Sequence, residues 1–233
     1  MHPELRFSKR SAARFAISLG QVSALILSLV GTASLPTSSV AANLIVNGGF
    51  ESPGGGFATL YTGSTALAPW EISGSVELIP NGVGPTSWPA HEGDYSLDLA
   101  GTSNGTIQQS FATVPGKQYT LTFQYGNNWG GIGSTGVVRV IGSSPIYGNF
   151  ITHGGSTSTD MQWTPYEATF VANSTITSLS FEDLSLSVFY GIALDAIAVT
   201  PVVVPEPVGL SLVCIAGAAF CRFSTRFAKS TRT

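Results

Sequence analysis

Between Asn43 and Thr200 the apolar residues recur at almost every second position, and this period constrains the fold more than any other feature of the chain. In "QYTLTFQY", Tyr119, Leu121, Phe123 and Tyr125 fall on one side of an extended backbone, and Thr120, Thr122 and Gln124 fall on the other. Successive side chains of a strand point to opposite faces, so this is a strand with one face buried. The same alternation predicts strands over 44–46, 70–72, 76–79, 95–99, 107–111, 137–141, 166–170, 179–181 and 194–199. About ten short strands separated by Gly, Ser, Asn and Pro, with no stretch of 3.6-residue period, predict an all-β domain: a β-sandwich of the jelly-roll kind.

The two ends read differently. Arg6, Lys9, Arg10 and Arg14 precede an apolar run over 15–30, and small residues follow as far as Ala41 and Ala42. A charged start, an apolar middle and a small-residue exit make a secretory signal peptide, with cleavage expected after Ala42. Near the other end, Pro205, Glu206 and Pro207 are followed by a largely apolar run of 13 residues from Val208 to Phe220 and then by Arg222, Arg226, Lys229 and Arg232. Thirteen residues fall short of the roughly 20 that a bilayer-spanning helix needs, and the two prolines stop a helix from extending upstream.

That order resembles the Pro-Glu-Pro (PEP-CTERM) C-terminal sorting signal of exported proteins in Gram-negative bacteria. The resemblance implies a short transmembrane segment that anchors the protein transiently in the inner membrane, with the basic end in the cytoplasm. It also implies an exosortase-type membrane protease that removes this segment, leaving the product at the cell surface or outside the cell. Three segments are therefore expected: a signal peptide over 1–42, a β-sandwich over 43–200, and a linker plus sorting signal over 201–233.

Without its ends the chain is strongly acidic. Residues 43–200 hold eleven Asp and Glu against Lys117 and Arg139, a formal charge of −9 where the whole chain has −3. Such a surface repels nucleic acid and anionic lipid, which excludes them as partners. Both cysteines, Cys214 and Cys221, belong to the tail. The domain therefore has no disulfide and must be held by its core, which a domain of this length can supply.

The ordered motifs "NLIVNGGFESPGGG", "APWEISGSVELI", "HEGDYSLDLAG", "TIQQSFATVPGKQYTLTFQYGNN" and "YGIALDAIAVT" resemble the choice-of-anchor C family, which is similar to a plant cell-wall domain of unknown function. The resemblance spans 43–200 and implies a galactose-binding-like jelly roll, a fold that carries carbohydrate or calcium in some relatives. It further implies that Glu51 and the Asp195 of the last strand bind a structural Ca²⁺ together with backbone carbonyls. From the residues alone, Asp195 shares the phase of Ile197 and Val199, and a carboxylate on a core face needs a partner. That partner is either a hard cation or a set of backbone N–H donors.

Trp88 and Trp129 stand in turn-rich segments, where flat rings could stack on sugars while Asn127 and Asn128 bond hydroxyls; the alternative is that they plug the end of the sandwich. Trp70 and Trp163 border strands and are expected in the core. His91, Glu92, Asp94 and Asp98 form the densest polar cluster, but acid–base work on a glycosidic bond needs two carboxylates at a set separation. The segment reads instead as a turn with solvated charges feeding a strand. Gly101-Thr-Ser103-Asn-Gly105 matches a nucleophile elbow in letters only, since a strand and not a helix is expected after it. The function expected is that of an exported, non-enzymatic module that binds polysaccharide of the cell envelope or extracellular matrix. A matrix protein without a specific ligand is the alternative, and a polysaccharide hydrolase comes third.

Overall fold

The computed structural model describes residues 41–83 and 88–203, which form a sandwich of two antiparallel sheets. The eleven strands are β1 (Ala58–Tyr61), β2 (Glu71–Ser73), β3 (Ser75–Pro80), β4 (Tyr95–Asp98), β5 (Thr106–Ala112), β6 (Gln118–Asn127), β7 (Ser134–Ile141), β8 (Pro145–His153), β9 (Thr164–Val171), β10 (Ile176–Asp183) and β11 (Ile192–Pro201). One sheet runs β1-β3-β4-β11-β6-β9 and the other β2-β5-β10-β7-β8. The expected signal peptide and the sorting signal at Pro205, Glu206 and Pro207 lie outside the described residues.

The period-two pattern does what it predicts along β6. Tyr119, Leu121 and Phe123 are buried, Thr120, Thr122 and Gln124 are half-buried, and Phe123 packs edge-on against Phe181 of the opposite sheet. Apolar residues from both inner faces make the main core, with Trp70, Phe50, Leu97, Leu121 and Phe181 among its largest buried side chains. Because these sheets and their core lie wholly within 43–203, this segment has what an independent domain requires.

Three elements depart from expectation, and one of them is β1, a strand where none was expected. Residues 44–46 are not a strand, although Leu44 N–H donates to the Val199 carbonyl and so tracks the last strand. β8 is a strand that the sequence hides, because Gly148 and Asn149 break its alternation.

A further departure changes the phase of β11. Asp195 pairs with Gln124 and Ala198 with Thr122, so one extra residue is accommodated between them, and Ala196 has a φ of 52°. A bulge shifts the side-chain alternation by one. Val199 therefore stands opposite core residue Leu121, but Asp195 stands opposite Gln124, on the outer face of the six-stranded sheet.

That outer face is covered. Ile79, Trp88, Met161 and Ala193 form a second buried apolar cluster there, with Val83 and Trp163 packed against it. The outer face of the five-stranded sheet has no comparable cluster among the described residues.

Candidate functional site

Glu51 and Asp195 hold one turn from its two ends. Oδ2 of Asp195 accepts the backbone N–H groups of His91 at 2.7 Å and Glu92 at 3.1 Å, and Oδ1 accepts that of Ala196. Oε1 of Glu51 accepts the N–H groups of Asp94 at 2.9 Å and Tyr95 at 3.0 Å. Burial pushes the Asp195 carboxyl up to about 7; the three N–H donors oppose the shift and the charge of Glu92 adds to it. The partner that the alternation demanded for Asp195 is thus the backbone of the 91–92 turn. No group of three or more His, Cys, Asp or Glu side chains is spaced for a metal ion among the described residues. The oxygen donors are nevertheless of the hard kind that Ca²⁺ takes. Glu92 Oε1 and Asp195 Oδ1 both reach Gly49, where an added Cβ would lie 2.9 Å and 3.6 Å from them.

Three of the four residues expected to meet a sugar are buried. Trp88 is 4% exposed, and its indole N–H donates to Ser96 Oγ at 3.0 Å inside the second apolar cluster. Its faces are consumed by packing, which corrects its reading as a stacking platform. Asn127 and Asn128 are buried as well. Oδ1 of Asn127 bonds His153 Nδ1 and accepts the N–H of Ser156, while Asn128 donates to Asp98 Oδ2 and to the Phe189 carbonyl and accepts the N–H of Gly130. Neither amide is free for a hydroxyl. Trp129 alone is exposed, at 42%. Trp70 is buried as expected, and Trp163 is partly buried with its indole N–H on the Pro89 carbonyl.

The 91–98 cluster does not assemble a carboxylate pair. His91, Glu92 and Asp94 are exposed, whereas Asp98 is fully buried, and its reading as a solvated charge is wrong. Oδ1 of Asp98 accepts the N–H groups of Ala100 and Gly191, and burial raises its carboxyl well above the usual range. Gly105 leads directly into β5, so no helix follows the Gly101–Gly105 stretch.

The open face of the five-stranded sheet carries a site that no motif marks. Register places Glu71, Gln108, Ser180, Arg139 and Gly148 in one cross-strand row, and Ser73, Thr106, Glu182, Val137 and Phe150 in the next. Five strands about 4.8 Å apart make this a track of about 19 Å. Arg139 is ion-paired with Glu182, and Phe150 is 67% exposed at the end of its row. Beside Phe150, Gly148 lacks a side chain, and a Cβ there would touch only the Val138 carbonyl oxygen at 3.8 Å. A cleft of about 560 Å³ opens at this end, lined by Val137, Arg139, Gly148, Asn149 and Phe150 among others. Ser178 Oγ, on the same face of β10, is the single buried side-chain polar atom without a hydrogen-bond partner among the described residues.

The cleft's inner wall is fixed. Tyr147 and Asn149 of β8 both bond the hydroxyl of Tyr166 in β9, tying the edges of the two sheets together. The Tyr147 phenol is pushed up to about 12 by its partial burial and by Tyr166. The sequence signal for this site was Arg139, the one arginine of the domain, set among valines; its partner Glu182 is legible only once β7 and β10 are in register.

Comparison with known proteins agrees on the fold. Residues 43–200 match the family described as protein of unknown function, DUF642. A 188-residue stretch is 31% identical to halomucin of Haloquadratum walsbyi, covering 76% of this chain and 2% of halomucin, so the chain spans a small fraction of that protein. The carbohydrate-binding module TmCBM61, solved with β-1,4-galactotriose, superimposes with a TM-score of 0.50 at 16% identity over 70% of this chain and all of the module. The CBM22-1 xylan-binding domain of Paenibacillus barcinonensis Xyn10C gives 0.41 at 13% identity, over 72% of this chain and all of that domain.

Proposed function

We infer the function of this chain, which belongs to the DUF642 family of proteins of unknown function, from its own surface: it is a non-catalytic module that binds carbohydrate along the open face of the five-stranded sheet. The observation that carries this reading is the juxtaposition of an exposed aromatic, an ion pair and a side-chain-free gap, at Phe150, Arg139–Glu182 and Gly148. Sugar rings present C–H faces that stack on a flat aromatic, and hydroxyls that bond to charged and amide groups. A ring seated over Gly148 would have Phe150 on one side and Arg139 with Glu182 on the other, and Gln108, Ser180 and Glu71 would continue the polar track. The galactotriose bound to TmCBM61, whose fold this domain shares, is in keeping with this ligand class.

The sequence ends support an exported protein held in the inner membrane before an exosortase-type protease acts, so the glycan would belong to the cell envelope or matrix. Ca²⁺ is proposed as a structural ion at the 91–95 turn. Asp195 and Glu92 would hold it with backbone carbonyls, and Glu51 would steady the turn from its far end. The ion would supply the positive charge that the buried Asp195 lacks.

Affinity electrophoresis of residues 43–203 through gels that each contain one polysaccharide tests the reading. Retardation by one glycan class supports it, and free migration through every gel removes it.

A further inference from the structure

The pole of the sandwich at the start of β11 carries an apolar surface that the glycan reading does not use. Two loops form it, 128–133 after β6 and 184–191 before β11. Their side chains include Trp129, Ile132, Leu186, Val188, Phe189 and Tyr190, all exposed, with Ile132 at 107% and Leu186 at 106%. Neither loop holds a charged residue, in a domain with eleven acidic ones. A contiguous apolar patch of this kind marks a contact surface in a soluble protein.

These loops are fixed in place from below. Asn128, held by Asp98, donates to the Phe189 carbonyl and accepts the Gly130 N–H, so it joins one loop to the other. Asp183 accepts the N–H groups of Ser185 and Ile192 and the Ser185 hydroxyl. Gly130 and Gly131 lie directly against Tyr190, where added Cβ atoms would come within 2.6 Å of its ring and 2.9 Å of its Cβ respectively. Two buried carboxylates and two glycines packed against Tyr190 therefore hold protruding aliphatic tips in a set position. Those tips form part of the rim of a recess of about 610 Å³, which Gly131, Gly133, Thr135, Leu184, Ser185 and Tyr190 also line.

We propose that this pole is a two-fold interface between copies of the chain, with the tips Ile132 and Leu186 of each copy seated in the recess between the two loops of the other. An isologous contact must be self-complementary, which tips protruding from the rim of a recess provide when two copies interdigitate. Charge favours the same partner. Joining two acidic domains through their uncharged poles removes apolar surface from water and keeps the acidic faces apart. A glycan fits poorly here, because the Ser185 hydroxyl is engaged by Asp183 and Thr135 and the protruding tips are aliphatic. β11 runs ten residues, about 33 Å, from this pole to Pro201 at the opposite one.

Sedimentation velocity of residues 43–203 across a range of concentrations tests this. The wild type is expected to pass from monomer to dimer, and Ile132→Asp and Leu186→Asp each to weaken the dimer about a hundredfold, since a charge would be buried without a partner. Because both tips are fully exposed in the monomer, neither change should lower its melting temperature. A wild type that stays monomeric, or a dimer that survives both changes, overturns the proposal. A monomeric wild type that floats with phosphatidylcholine vesicles would reassign the patch to lipid, and one whose glycan retention is lost in Trp129→Ala would reassign it to sugar.

Discussion

The side-chain amide nitrogen of Asn128 lies 2.7 Å from Oδ2 of Asp98, and both groups are buried. With Ala100 N–H and Gly191 N–H on Oδ1, this bond satisfies a carboxylate that has no cationic side chain bonded to it. Replacing Asn128 with Leu removes that partner and the tie to Phe189. A buried acceptor left unpaired costs about 1–3 kcal/mol, and more when charged. Denaturant unfolding of Asn128→Leu should show a loss of about 2–3 kcal/mol, with glycan binding by the remaining folded protein unchanged. Wild-type stability would remove Asn128 from this role.

Asp98 and Asp183, alongside Asp195, shape the pH response. Burial raises both carboxyls, so the folded domain binds more protons than the unfolded chain above the ordinary aspartate pKa of about 3.9. Unfolding free energy falls with rising pH wherever the folded state holds the extra proton. From these two groups, stability should be greatest in mild acid and decline from about pH 4 toward neutrality. Thermal melts of wild type and Asp98→Asn across that window check it, the variant being expected to show the flatter profile. A melting temperature that climbs steadily from pH 4 to 7 would contradict the assignment.

Much of the sandwich was legible because the apolar residues of β5, β6, β9 and β10 alternate, and a buried face leaves no other mark on a sequence. Asp195 was misplaced for the same reason: alternation assumes an unbroken strand, and the bulge at Ala196 inverts the phase without a glycine to announce it. Trp88 stood between two readings, stacking platform and plug, because turn-rich residues around it suggested exposure; its side chain packs into the cluster on the outer face of the six-stranded sheet. The sugar-facing residues were invisible as a group, since Glu71, Gln108, Arg139, Gly148, Phe150 and Glu182 become neighbours only through strand register.

Trp88 separates core from ligand surface experimentally. Trp88→Ala should cost about 3–5 kcal/mol, as large-to-small changes at buried aromatics do. At temperatures where the variant remains folded, its affinity for polysaccharide should equal that of wild type. A stable variant that has lost binding would return Trp88 to the ligand surface.

Calcium should act through the 91–95 turn. Its addition is expected to raise the melting temperature of residues 43–203 and chelator to lower it, since a ligand that binds only the folded state stabilises that state. Asp195→Ala should abolish the difference. Identical melts with calcium and with chelator would leave the turn held by its N–H bonds alone.

The central claim concerns the open face of the five-stranded sheet, and isothermal titration of a retained polysaccharide into wild type, Phe150→Ala and Arg139→Ala tests it most directly. Both changes are at partly exposed positions, so folding should persist. The account predicts that each variant loses about tenfold or more in affinity, the effect of about 1.4 kcal/mol from one stacking or charge-assisted contact. Wild-type affinity in both variants would contradict it and place the ligand elsewhere on the domain.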